Sequence, residues 1–218
     1  MPARSLLLAF DGVIADTENI HIAAWQRVFG MMGWEAPDEL CAMSMEKDDR
    51  LFLDSVFEMK KFLEGDIDGW VAKKQKITLE MLTNSPRIYP GIPELITQAR
   101  RRRFKIAVVT TTWRENVTTV LQASGLLKKV DVIVGKEDVV KTKPDPEPYL
   151  RALTLLAVPS ISSLAFEDSP TGLAAAHAAL VPAIAVGHRR PKGPWVGHVA
   201  YVPDLRNTEY MMELLALV

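Results

Sequence analysis

Residues 5–10 form a short, unbroken apolar run that stops at Asp11 and Gly12. Such a run predicts a strand buried on both faces, ending where the chain must turn. From about Thr17 the spacing becomes helical, with Ile20, Ala23, Ala24, Trp25, Val28 and Met32 on one apolar stripe. Asp16 or Thr17 would cap that helix, and Glu18 suits its first turn. Between about residues 38 and 82, Leu51, Leu53, Val56, Phe57, Phe62, Leu63, Trp70, Val71, Ile77 and Leu82 recur at helical rather than alternating spacing. No strand is predicted there. Asn84, Ser85, Pro86, Pro90 and Gly91 then break the pattern as a linker does.

After the linker, strand and helix patterns alternate. Strands are predicted over 105–110 (KIAVVT), 130–134, 163–166 and 183–186. Helices are predicted over 114–124, closed by Gly125, over 146–156 with proline in its first turn, and over 172–180. This alternation implies the α/β class: a doubly wound parallel sheet, Rossmann-like, with helices on both faces. The all-helical stretch is then an insertion after the first strand. The expected division is a core of residues 1–16 and 86–218 and a helical cap of residues 17–85.

Composition narrows the class. The chain has 218 residues, 48% hydrophobic and 24% charged, with a formal net charge of −1. That length can bury a core without disulfides or a structural metal, and the apolar fraction excludes disorder. Near-neutral charge offers no field for nucleic acid. No apolar run is long enough for a signal peptide or a spanning helix, so a cytoplasmic location and no membrane partner are expected. The one cysteine, Cys41, fits a reducing compartment and reads as a small core residue. Arg100 to Arg103 read as the favourable, solvated end of a helix. Met31, Met32, Met43, Met45 and Met59 read as core or cap filler, and Trp195 as packing at the core edge.

In doubly wound sheets, ligands bind beyond the carboxyl ends of the strands. The polar residues there are Asp11 after the first strand, Thr110, Thr111 and Thr112 after the second, Lys143 in the loop after the third, and Glu167, Asp168 and Ser169 after the fourth. Hard oxygen ligands suit Mg²⁺, and a lysine with hydroxyls suits phosphate oxygens. Each taken singly is an ordinary cap or turn residue. Four such loops at one sheet edge favour a site.

The segments AFDGVIADTENIHIAAW (9–25), VVTTTW (108–113), KTKPDPEPY (141–149) and FEDSPTGLAAAHAA (166–179) resemble the haloacid dehalogenase-like superfamily. Within it, the chain is similar to the members with a small helical cap, the β-phosphoglucomutases and CbbY-like sugar-phosphate phosphatases. The resemblance implies a phosphoric monoester hydrolase acting on a small phosphorylated substrate with Mg²⁺, as a monomer or weak dimer. In that family the first motif reads Asp-x-Asp-Gly, where the first aspartate attacks phosphorus and the second is general acid and base. Asp11, Gly12, Val13, Ile14, Asp16 and Thr17 fix the register, so Asp11 is the second aspartate and Ala9 stands at the nucleophile position.

By the same resemblance, Thr110 would hydrogen-bond the phosphoryl group and Lys143 would neutralise its oxygens, with Thr111 and Thr112 beside them. Asp168, Glu167 directly or through water, and the backbone carbonyl of Asp11 would hold Mg²⁺. His21 matches a substrate-sensing histidine of some members, or is a polar residue on the cap-facing side of its helix. Lys74 reaches substrate from the cap, or belongs to a solvated lysine run.

The departures are as informative. A methyl group at residue 9 removes the attacking group and a metal ligand together, so the chain as written is expected to be inactive. Ala42, Met43, Ser44, Met45, Glu46 and Lys47 replace the lysine- and arginine-bearing stretch of the mutases, which favours phosphatase over phosphomutase. Leu180 stands where the family has glycine. Two accounts of Ala9 stand: a deliberate or recent inactivation, or a natural pseudoenzyme that still binds a phosphorylated ligand. Retention of Asp11, Thr110, Lys143, Glu167 and Asp168 favours the first.

Overall fold

The computed structural model describes residues 3–61, 65–188 and 197–218. The chain divides into two compact units: Met1–Asp16 with Arg87–Val218, and Thr17–Pro86. In chain order the first elements are β1 (Ser5–Leu8), α1 (Glu18–Met31), α2 (Asp38–Ala42), α3 (Asp49–Met59) and α4 (Ile67–Asn84). Next come α5 (Ile92–Arg101), β2 (Lys105–Val109), α6 (Arg114–Ala123), β3 (Val132–Val134) and α7 (Glu147–Leu156). The chain closes with β4 (Ser163–Glu167), α8 (Pro170–Ala178), β5 (Ala183–Val186), β6 (Ala200–Val202) and α9 (Thr208–Leu214).

In the larger unit the strands lie in the order β3-β2-β1-β4-β5-β6, every neighbouring pair parallel. β1 is central, with Leu7 registered on Ala107 of β2 and Ala165 of β4. One face packs Leu7, Val109 and Ala165 against Tyr149, Ala152 and Leu156 of α7 and Leu173 and Ala176 of α8. The alternate residues Leu6, Leu8, Ile106 and Val108 are equally buried, and α5 and α6 pack on β2 and β3. Cover on both faces explains why the strands are unbroken apolar runs. The strand order reverses between β1 and β4, so the loops after these two strands diverge and open a crevice at their carboxyl ends.

The smaller unit is helical, as its spacing predicts. Its core gathers Trp25, Val28, Phe29, Phe52, Val56 and Ile77, with Trp25 stacked on Phe29 at 5.5 Å and edge-on to Phe52 at 5.0 Å. Cys41 is fully buried in this core. Burial first, then the charge of Asp38, pushes its thiol up to about 11, where it is unreactive.

Several boundaries differ from expectation, each for a local reason. β1 ends at Leu8 because the Phe10 carbonyl accepts from the N–H groups of Ile14 and Ala15 at 2.9 Å, which closes a turn instead of extending the ladder. α8 starts at Pro170, not Gly172: Ser169 Oγ accepts from Gly172 N–H at 3.0 Å and proline occupies the first turn. β6 and α9 carry too few residues to show a period, although Asn207 caps α9 through Tyr210 N–H. Met31, Met43 and Met59 are not filler, being 58%, 45% and 58% exposed. Met31 and Met59 are the last residues of α1 and α3, and Met43 lies in a short 3₁₀ turn. Phe62, Leu63 and Trp195 lie outside the described residues. No described helix is long and apolar enough to cross a membrane.

Candidate active site

The first strand's chain continues past β1 into the crevice. Ala9 N–H donates to the Phe166 carbonyl at 3.0 Å, and its methyl group is buried. Two residues on, Asp11 is partly exposed and its Oδ2 accepts from Thr110 Oγ1 at 3.4 Å. Gly12 turns the chain at φ +75°, and its N–H donates to Ala15 carbonyl at 3.0 Å. A Cβ on Gly12 would fall 1.8 Å from Asp168 Oδ2. Glycine is therefore required there twice, for the left-handed backbone and for the carboxylate beside it.

From the second strand, Thr110 is buried and its N–H donates to Val134 carbonyl at 3.0 Å. Its hydroxyl oxygen also accepts from Thr112 N–H at 3.1 Å. Thr111 is exposed. Thr112 is buried, and its hydroxyl oxygen accepts from Asn116 Nδ2 at 2.9 Å, inside the first turn of α6. Thr110 and Asp11 are thus brought together, while Thr112 serves the start of a helix.

Lys143 and Glu167 meet across the edge. Lys143 Nζ donates to Val109 carbonyl at 2.9 Å and to Glu167 Oε1. Glu167 is fully buried, and its Oε1 also accepts from the Tyr149 hydroxyl at 2.5 Å. Ser169 Oγ lies 3.5 Å from Oε2, and a Cβ on Gly172 would fall 2.0 Å from that oxygen. Tyr149 is fully buried on α7, and burial first, then the Glu167 charge, pushes its phenol well above the usual range. It therefore stays a donor. Sequence reasoning gave Tyr149 no role, although it closes the segment that carries Lys143; an aromatic on an apolar helix stripe reads as packing alone.

His21 and Lys74 belong to the smaller unit and form a cluster of their own. Lys74 Nζ donates to both oxygens of Asp49, at 2.9 and 3.0 Å, and lies 3.0 Å from His21 Nδ1. Lys74 is 2% exposed, so the solvated reading of the lysine run is corrected for this residue and holds for Lys73 and Lys76. Asp49 takes part through a signal the sequence did not show, since its partner stands 25 residues away.

Among the described residues no three or more His, Cys, Asp or Glu side chains are clustered as a metal cage, so a cation at the crevice would take few protein ligands. Glu167 already accepts from Lys143 and Tyr149, and Ala9 offers no oxygen. Asp168 and the Asp11 carbonyl supply hard oxygen donors, which fits Mg²⁺ held with several waters and substrate phosphate.

Fold and crevice together define a doubly wound α/β protein whose strand ends carry carboxylates, a threonine and a buried lysine. Comparison with known proteins carries this further. The sequence model of the family described as haloacid dehalogenase-like hydrolase matches residues 6–186. The chain is 31% identical over 195 residues to Protein CbbY of Rhodobacter capsulatus, covering 82% of this chain and 83% of that one. It is 30% identical over 179 residues to the phosphorylated carbohydrates phosphatase of Thermotoga maritima, covering 81% of each. The crystal structure of CbbY from Rhodobacter sphaeroides in complex with phosphate is similar with a TM-score of 0.84 at 26% identity, covering 94% of this chain and 96% of that one. This chain belongs to the haloacid dehalogenase-like hydrolases.

Proposed function

We propose that the crevice binds the phosphoryl group of a small phosphorylated metabolite, a sugar phosphate, and that Ala9 leaves the chain without turnover. The observation that carries the reading is Lys143 Nζ, held by Val109 carbonyl and Glu167, at the same sheet edge as the Thr110–Asp11 pair. Both the phosphatase of Thermotoga maritima and the phosphate complex of CbbY support it, as relatives whose names state a phosphorylated carbohydrate and a phosphate.

With a carboxylate at residue 9, the reaction has two steps. A carboxylate oxygen attacks phosphorus, the bond to the sugar oxygen breaks, and Asp11 gives that oxygen its proton. Asp11 then takes a proton from water, whose oxygen attacks phosphorus, and the bond to residue 9 breaks to release phosphate. Lys143 and Thr110 hold the phosphoryl oxygens as charge moves onto them. Mg²⁺, held by Asp168 and the Asp11 carbonyl, would supply further charge stabilisation.

The test is Mg²⁺-dependent phosphate release over a panel of sugar phosphates, for the parent chain and for Ala9→Asp. The expected result is turnover in Ala9→Asp alone, exceeding the parent by about 10⁴- to 10⁶-fold. Turnover by the parent would overturn the assignment of residue 9. A second reading is favoured by Ala9 itself: a non-catalytic binder of phosphorylated ligands. It holds if the parent binds such a ligand and Ala9→Asp gains no activity.

A further inference from the structure

Tyr149 is a costly residue for its place. Its ring lies wholly inside the core formed by α7, α8 and the sheet, where phenylalanine would pack as well. A buried hydroxyl is tolerated when it is bonded, and this one donates to Glu167 Oε1 at 2.5 Å. Glu167 is a fully buried carboxylate, which needs donors around it to stay charged. Tyr149 and Lys143 supply them on the same oxygen.

The lysine is held from three sides. Val109 carbonyl accepts at 2.9 Å, Glu167 accepts beside it, and the Tyr149 ring lies 5.4 Å from Nζ. An ammonium has three N–H bonds. Among the described residues two are spent, on Val109 and Glu167, which leaves the third for a ligand oxygen. The backbone around the lysine is fixed as well: Glu147 carboxylate accepts from Val140 and Lys141 N–H at 2.9 and 2.8 Å, and Asp145 from Glu147 N–H at 3.0 Å. What remains to be set is the side chain's far end, and Glu167 sets it only if its own carboxylate is fixed.

We propose that Tyr149 is the positioning residue of the phosphate-binding lysine: its hydroxyl anchors Glu167, which in turn anchors the Lys143 ammonium. The inference rests on the phosphate-binding reading above. The Tyr149 hydroxyl also draws charge from the oxygen it shares with Lys143. Without it, Glu167 pulls the ammonium more strongly and leaves less of its charge for phosphate.

The test is calorimetric titration of the chain with inorganic phosphate in Mg²⁺. Tyr149→Phe is expected to raise the phosphate Kd about tenfold at unchanged stoichiometry. Leu153→Ala, which opens a cavity on the same helix without touching the ion pair, is expected to lower the melting temperature and leave Kd unchanged. A purely structural tyrosine would cut the stoichiometry of Tyr149→Phe and not its Kd. Parent-like Kd in Tyr149→Phe overturns the inference and leaves the proposed function standing. Absence of phosphate binding by the parent overturns both. Should Tyr149→Phe fail to fold, the parent's Tyr149 ring resonances are followed during the titration. They are expected to shift with the same Kd, and resonances that stay still overturn the inference.

Discussion

The chemistry of the crevice turns on single atoms. At residue 9 a methyl group occupies a buried position whose N–H pairs with Phe166, so the backbone is held in place where the proposed reaction needs a carboxylate. Three residues on, Gly12 has neither spare space nor an ordinary backbone. Gly12→Ala is expected to cost at least about 1–2 kcal/mol for the left-handed backbone alone. It also places a carbon 1.8 Å from the Asp168 carboxylate, which must move. Urea unfolding checks the first effect. Loss of the Mg²⁺-dependent part of phosphate binding checks the second. The placing of Asp11, Thr110, Glu167 and Asp168 at strand ends, and of Lys143 in the loop after β3, was legible in the sequence because the apolar runs mark where the strands stop. Tyr149, Asp49 and the burial of Lys74 were not, because side-chain partners from distant segments leave no local period.

At the level of elements, helix ends repeat one device. After α1, α5, α6, α7 and α8 the chain turns through a left-handed residue: Gly33 (φ 80°), Arg103 (63°), Gly125 (70°), Ala157 (52°) and Leu180 (58°). The N–H of the next residue reaches back to the carbonyl five positions earlier, as from Val181 to Ala176 at 2.9 Å and from Leu126 to Leu121 at 2.8 Å. That next residue is always apolar: Trp34, Phe104, Leu126, Val158 and Val181. Only two of the five turns use glycine, so helix ends were read correctly at Gly125 and missed by two residues at Leu180.

Leu180 gains nothing from its side chain, which is 77% exposed. Leu180→Gly removes about 1–2 kcal/mol of left-handed strain and loses about 0.4–1 kcal/mol to the freer unfolded chain. The expected net gain of about 0.5–1 kcal/mol is read as a higher urea midpoint at unchanged slope. The loop after β3 is held differently. Asp138 accepts from Gly135 N–H at 2.8 Å and from Arg114 Nη2 at 2.6 Å. Burial opposes its ionisation, but Arg114 and the Gly135 N–H outweigh it and hold the carboxyl below its usual value. Its contribution is therefore full above the unfolded value, about 3.9, and is lost as pH falls through the lower folded value. Asp138→Asn is expected to cost about 0.5 kcal/mol near neutrality. The gap between parent and variant should close as unfolding is measured at falling pH.

For the whole molecule, the texture of the sequence was enough to read the architecture. Unbroken apolar runs gave the buried parallel strands, and helical spacing without a strand gave the smaller unit. What escaped was the body of α5, of which only the arginine-rich end was read, together with β6, α9 and the ends of β1 and α8, where a few hydrogen bonds outweigh periodicity. In the proposed function, residue 9 is the point of covalent transfer and the methyl group there stops it. The most direct measurement is mass spectrometry of acid-quenched Ala9→Asp after brief exposure to a turned-over sugar phosphate. A phosphoryl group is expected at residue 9, on the peptide that contains it, and is expected to be absent from the parent chain treated in the same way. A phosphoryl group on Asp11, in either chain, would contradict that role for residue 9.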